Sequence, residues 1–162
     1  MPELPEVETV RRGLERQLQQ FTISRLEVLR PRAVAWPPDP ELFCSALRDC
    51  RVGHWQRRGK YLIAALEQNG EPAGHWGVHL RMTGQFLWLE QPRDPCKHTR
   101  VRLWNSAGQE LRFVDVRSFG EMWWVPPGQA PDTVMSGLRR LGPEPFSEAF
   151  SPSYLLQKLQ GS

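Results

Sequence analysis

From Arg51 onward the sequence breaks into short runs of β-forming residues, each closed by turn formers. That punctuation restricts the fold more than any other feature. The runs are Val52–Arg58, Lys60–Leu66, His75–Leu80, Gln85–Leu89, Arg100–Trp104, Glu110–Val114 and Glu121–Val125. Gly59 separates the first two, Asn69-Gly70 marks a turn, and Asn105-Ser106-Ala107-Gly108 reads as a hairpin loop. Many short strands with regular turns predict a β-sandwich. Seven tryptophans, among them Trp76, Trp88, Trp104, Trp123 and Trp124, supply core bulk.

Helices are expected at both ends. Leu4, Val7, Val10, Leu14 and Leu18 recur at three- and four-residue spacing, which predicts a helix running to about Gln20. Ser24–Leu29 alternates weakly and reads as a strand, Arg30–Pro40 as a proline-rich loop, and Glu41–Leu47 as a short helix. Asp132–Arg140 and Ser151–Gln160 look helical, and no internal repeat is evident. The expected class is α+β, a two-sheet antiparallel β-sandwich flanked by helices. A chain of 162 residues can hold one substantial domain and the start of a second.

The charge balance is mildly basic, 21 Lys and Arg against 18 Asp and Glu, and does not by itself identify a nucleic-acid binder. Basic residues cluster at Arg11, Arg12 and Arg16, at Arg57, Arg58 and Lys60, and at Arg139 and Arg140. Each cluster is equally readable as a solvated face. Cys44, Cys50 and Cys96 are odd in number and lack CxxC spacing, so buried or half-buried free thiols in a reducing compartment are expected. His54, His75 and His79 show no metal-ligand arrangement, and no metal site is expected in this chain. There is no signal-peptide pattern and no apolar run of membrane-spanning length, which makes the cytoplasm the default.

The N-terminus, Met1-Pro2-Glu3-Leu4-Pro5-Glu6, admits two readings. Proline and acidic residues suit the first turn of a helix, where a missing N–H and a negative charge are both favoured. Removal of Met1 would also leave Pro2 as a free secondary amine with a pKa of ~8, partly neutral and nucleophilic at working pH. Such an amine can attack an aldehyde-level carbon to form an iminium ion, with Glu3 tethered beside it for proton transfer.

The opening run PELPEVETVRRGL resembles the N-terminus of the formamidopyrimidine-DNA glycosylase family, bacterial base-excision repair enzymes that remove oxidised purines such as 8-oxoguanine. The resemblance recurs in order at QRRGKYL, HLRMTG, KHTRVRL, DVRSFG and LGPEPF, along essentially the whole chain. It implies an N-terminal β-sandwich catalytic domain over residues 1–130. Residues 131–162 would then be the linker and beginning of a helix–two-turn–helix domain, in a fragment of a longer protein whose C-terminal zinc finger lies beyond Ser162. No cofactor is implied in this chain, the implied partner is double-stranded DNA with oxidised bases or abasic sites, and a monomer is expected.

The resemblance also assigns roles. Pro2 matches the nucleophile at C1′ of a flipped nucleotide, Glu3 the general acid for ribose opening, and Lys60 a contact to lesion phosphate and sugar that donates a proton during elimination. Met82 matches the residue that fills the vacated space, Phe119 the wedge in the opposite strand, Arg117 the reader of the orphaned base, and His98 a DNA-backbone contact. From spacing alone, Met82 and Phe119 are as readable as core residues, Lys60 as surface charge and Glu6 as an exposed first-turn acid. Lys97 and Arg100 would add phosphate-binding charge. The chain departs from the family pattern at Val116 and Ser118, where proline and a second arginine are frequent. Two rival readings stand: an endonuclease VIII-like enzyme for oxidised pyrimidines, and a DNA-binding domain that kept the fold and lost the activity.

Overall fold

A computed structural model of the chain describes residues 4–141. Helix α1 (Leu4–Gln17) leads into β1 (Arg25–Val28), β2 (Val34–Trp36) and α2 (Pro40–Leu47). Seven strands follow: β3 (Arg51–Arg58), β4 (Tyr61–Gln68), β5 (Glu71–His79), β6 (Gly84–Leu89), β7 (Thr99–Trp104), β8 (Glu110–Asp115) and β9 (Glu121–Val125). The described part closes with α3 (Pro131–Val134) and a 3-10 stretch, Ser136–Leu141.

The strands form a four-stranded sheet in the order β1-β7-β8-β6 and a five-stranded sheet in the order β2-β9-β5-β4-β3. Turn chemistry sets the register. Asn69 (φ 54) and Gly70 (φ 80) both take the left-handed backbone that a two-residue type I′ hairpin requires, and Gln68 pairs with Glu71 across them. At Gly59-Lys60, glycine supplies the positive φ (58) in the first turn position, and Arg58 pairs with Tyr61.

Alternation along the strands builds two clusters. Leu62, Ala64, Trp76, Val78 and Met122 of the larger sheet face Val101, Leu103, Leu111 and Phe113 of the smaller one. Trp76 sits at the junction, edge-on to Trp55 at 5.1 Å and to Phe86 of the opposite sheet at 6.4 Å. The helices add Val7 and Leu14 from α1 and Phe43 and Leu47 from α2 to the same core, with Leu18 just past the end of α1. On the outer face of the larger sheet, Ile63, Trp123 and Val125 pack against Met135 and Leu138.

Several expectations need correction. Helix α1 stops at Gln17, and Gln20 reverses the chain at φ 61. Inside the expected proline-rich loop, Val34–Trp36 forms a short strand, because β9 offers it an unpaired edge. That pair is parallel, the one exception to antiparallel pairing among the described strands. Trp88 and Trp124 are only half-buried, whereas Trp55 is fully buried. Cys44 and Cys50 are buried but Cys96 is exposed, on the loop before β7. Ser151–Gln160 lies outside the described residues, and Asp132–Arg140 is a single helical turn followed by 3-10 structure.

Candidate functional site

The described residues among those singled out, Lys60, Met82, His98, Arg117 and Phe119, gather at one end of the sandwich. Tyr61, His79 and Glu121 lie in one cross-strand row of the larger sheet, so the Gly59-Lys60 turn, the Leu80–Thr83 connection and the Val116–Gly120 connection emerge side by side. The smaller sheet brings its own end there, with Gly84 opposite Asp115 and Thr99 opposite Val114. The turn carrying Lys97 and His98 joins them through a hydrogen bond from Asp115 N–H to the His98 carbonyl, 3.0 Å.

Met82 and Phe119 project outward, 45% and 41% exposed. The core alternative is therefore not what these two side chains adopt. Arg117 is exposed beside them, its Nη1 3.7 Å from the Met82 sulfur. The guanidinium of Arg32 lies 5.1 Å above the Phe119 ring, within cation–π range. A cleft of ≈ 430 Å³ opens among Arg32, Arg81, Met82, Phe119 and Glu121, with Arg81 ion-paired to Glu121. Exposed apolar side chains ringed by cations at a loop end suit insertion into a stack of charged nucleotides.

Pro2 and Glu3 lie outside the described residues. Helix α1, which begins at Leu4, is tied to the Lys60 hairpin. Glu8 accepts from Arg57 Nε at 3.1 Å, and Arg57 Nη1 donates to the Gly59 carbonyl at 3.1 Å. Glu8 also accepts from Arg11 at 2.8 Å and Arg12 at 3.1 Å. The Arg11 hydrogen bond outweighs partial burial and, with Arg57 and Arg12, brings the Glu8 carboxyl down to about 2. Glu6 is exposed in the first turn of α1.

His79 is buried under this end, edge-on to Tyr61 at 4.5 Å, and its Nδ1 accepts from Arg81 N–H at 3.0 Å. Burial, followed by the positive charges of Arg81 and Lys60, pulls it down to about 4. The imidazole is therefore neutral in the folded protein, while an unfolded chain would bind its proton below the ordinary value of 6.5. Stability is thus expected to fall as pH drops from 6.5 towards 4, by at most about 1.4 kcal/mol per unit from this group, and then to level off for it. The paired Glu8 carboxylate adds a second loss between 4.5 and about 2. Chemical denaturation across that range checks both, and His79→Gln should flatten the upper part of the profile only.

Much of the basic charge is engaged within the protein. Arg100 is buried, donating from Nε to the Asp115 carbonyl at 2.9 Å and from Nη1 to the Lys97 carbonyl at 3.3 Å. It braces the turn and is not available as a phosphate-binding cation. Arg112 is equally buried: it pairs with Glu110 at 2.7 Å and donates to the Arg93 and Asp94 carbonyls at 2.6 and 3.1 Å. Burial pushes the Glu110 carboxyl up, but hydrogen bonds from Arg112 and Arg102 outweigh it and hold the group below the usual range. Lys97 is exposed and His98 half-buried. Sequence reasoning missed Glu8, Arg32 and Asp115: Glu8 and Asp115 lie inside the matched runs PELPEVETVRRGL and DVRSFG, whereas Arg32 lies in none of them and carries no signal.

The sequence profile of the formamidopyrimidine-DNA glycosylase N-terminal domain matches residues 1–122. The chain belongs to the formamidopyrimidine-DNA glycosylase family. Formamidopyrimidine-DNA glycosylase of Parasynechococcus marenigrum is 63% identical over 162 residues, covering 100% of this chain and 57% of that protein. The protein of the same name from Prochlorococcus marinus strain MIT 9313 is 58% identical, with 100% and 59% covered. The chain thus spans well under two thirds of the length of these bacterial glycosylases. Among solved structures, Lactococcus lactis Fpg in complex with abasic-site DNA superposes with a TM-score of 0.75 at 30% identity, covering 98% of this chain and 55% of that one. The same glycosylase bound to Fapy-dG DNA gives 0.74 at 30% identity, with 98% and 56% covered.

Among the described residues, no group of His, Cys, Asp and Glu is placed to hold a metal ion, and no helix is long and apolar enough to cross a membrane.

Proposed function

We propose that the chain is the catalytic N-terminal part of a bifunctional DNA glycosylase and AP lyase that excises oxidised purines, 8-oxoguanine and formamidopyrimidines, from double-stranded DNA. Residues 1–130 form the catalytic sandwich and 131–162 begin a helical domain, with a structural zinc finger further on in the whole protein, which acts as a monomer in the bacterial cytoplasm. The observation that carries the reading is the Glu8–Arg57 bond of 3.1 Å. It joins the helix that begins just after Pro2 and Glu3 to the Lys60 hairpin, at the end where Met82, Arg117 and Phe119 project.

That arrangement supports the chemistry, and the roles of Pro2, Glu3 and Lys60 in it come from the family resemblance. The lesion nucleotide leaves the stack so that its C1′ can be reached. Met82 fills the space it vacates, Phe119 wedges the opposite strand and Arg117 reads the orphaned base. The neutral nitrogen of Pro2 attacks C1′, and the glycosidic bond breaks with its electron pair leaving on the base. The attached nitrogen loses its proton to solvent, the freed lone pair opens the ribose as Glu3 protonates O4′, and an iminium ion results. Loss of a C2′ proton sends electrons into the iminium and expels the 3′ phosphate, and a second elimination releases the 5′ side. Lys60 contacts the phosphate and donates a proton during these steps. His98 and Lys97 hold the backbone in a salt-dependent way.

A second reading, preference for oxidised pyrimidines, has one observation in its favour: Lactococcus lactis Fpg has also been solved with an oxidised pyrimidine in its DNA, at TM-score 0.75 and 31% identity to this chain. Single-turnover excision from matched duplexes carrying 8-oxoguanine or an oxidised pyrimidine separates the two. The purine lesion should be released faster. The reverse order would favour the endonuclease VIII-like reading, and no release of either by protein lacking Met1 would favour an inert DNA-binding domain.

A further inference from the structure

We infer that Asp115 is the positioning residue that locks the three DNA-facing segments of this end to one another, an inference that rests on the reading of Met82, Arg117 and Phe119 given above. Asp115 ends β8 and is fully buried, 0% exposed. A buried carboxylate must be satisfied by donors or it costs several times what a surface one does. Here every donor comes from a segment that carries a projecting residue. Thr83, next to Met82, donates its hydroxyl to Oδ1. The Arg117 N–H reaches the same oxygen at 3.2 Å, and the Gly120 N–H, adjacent to Phe119, reaches Oδ2 at 2.6 Å.

The main chain of Asp115 extends the lock to the fourth candidate. Its N–H donates to the His98 carbonyl at 3.0 Å, and its carbonyl accepts from buried Arg100, which also holds the Lys97 carbonyl. Among the described residues no cation pairs with the carboxylate, so its charge is balanced by directional N–H and O–H groups that dictate loop geometry. The neighbouring glycines fit this role. A Cβ on Gly120 would lie 2.8 Å from Oδ2 and 2.6 Å from the Phe113 ring, and one on Gly84 2.6 Å from the Leu80 carbonyl. The 80–83 and 116–120 connections also each hold a residue in left-handed backbone, Arg81 at φ 56 and Ser118 at φ 60, which L side chains avoid unless the surroundings fix them.

The test uses Asp115→Asn, Thr83→Val, Thr83→Ser and Phe119→Ala in the longest natural form of the protein that carries this chain. Two activities are compared: excision of 8-oxoguanine from duplex DNA, which needs the inserted residues, and strand cleavage at a preformed abasic site in single-stranded DNA, which has no void to fill and no opposite strand to wedge. Asp115→Asn keeps the shape but turns one acceptor into a donor, and Thr83→Val replaces the hydroxyl by a methyl of similar size. Both should lower duplex excision by about tenfold or more, the scale of losing a hydrogen bond to a buried charge, and leave single-strand cleavage unchanged. Thr83→Ser should restore duplex excision. Duplex excision unaffected by Thr83→Val, or both activities falling together, would overturn the inference, and the Thr83 pair decides it even if Asp115→Asn fails to fold. Loss of duplex excision in Phe119→Ala alone would leave the DNA-facing reading standing without a role for Asp115. Full duplex excision by Phe119→Ala would overturn both.

Discussion

Protein that keeps Met1 in front of Pro2 is expected to be inactive in both base excision and strand cleavage. Retention converts the secondary amine at residue 2 into an amide, whose lone pair is delocalised and cannot attack C1′. The primary amine of Met1 is displaced by one residue from the helix that would aim it. Removing a covalent nucleophile costs on the order of 10⁴-fold or more in rate. Intact-mass measurement sorts preparations by their N-terminus, and single-turnover assays on abasic-site duplex should follow the fraction that begins with Pro2. Equal rates in the two forms would remove Pro2 from the mechanism.

The largest effect on stability is expected at Trp76→Ala. This side chain is fully buried, packs edge-on against Trp55 at 5.1 Å and reaches Phe86 across the sandwich at 6.4 Å, so it joins the two sheets. Truncating a buried aromatic of this size typically costs about 3–5 kcal/mol, because the cavity closes only in part. Met82→Ala, at an exposed loop position, should change stability by no more than about 0.5 kcal/mol. Denaturant unfolding of the two variants beside the parent gives the comparison. A large loss at Met82, or a small one at Trp76, would reverse the assignment of core and projecting residues.

The strand pattern was legible because turn residues and alternation act locally. Asn69-Gly70 and Gly59 specify hairpins through their own backbone preferences, and β3 to β9 follow within a few residues of the expected limits. Strand β2 was hidden, since three residues among prolines become a strand only when β9 provides an edge. The polar interior was hidden for a related reason. Arg100, Glu110 and Arg112 sit in alternating strands where charge ordinarily marks the solvent face, and their burial depends on the 93–98 loop folding over them. At the candidate site the motifs located Lys60, Met82, His98, Arg117 and Phe119. Asp115 looked like an ordinary acid at a strand end, because its partners at residues 83, 117 and 120 meet it only after both sheets have paired. Arg32 was equally unreadable, its place over Phe119 being a product of the β2–β9 pairing.

The proposed function puts the covalent bond to DNA on Pro2, two residues before helix α1, which Glu8 and Arg57 tie to the Lys60 hairpin. Borohydride reduction of the reaction with abasic-site duplex, followed by peptide mapping, addresses it directly. A crosslink on the peptide that begins with Pro2, weaker but still present in Pro2→Gly, is the predicted result. A crosslink confined to the peptide containing Lys60, or none from protein shown to lack Met1, would contradict it.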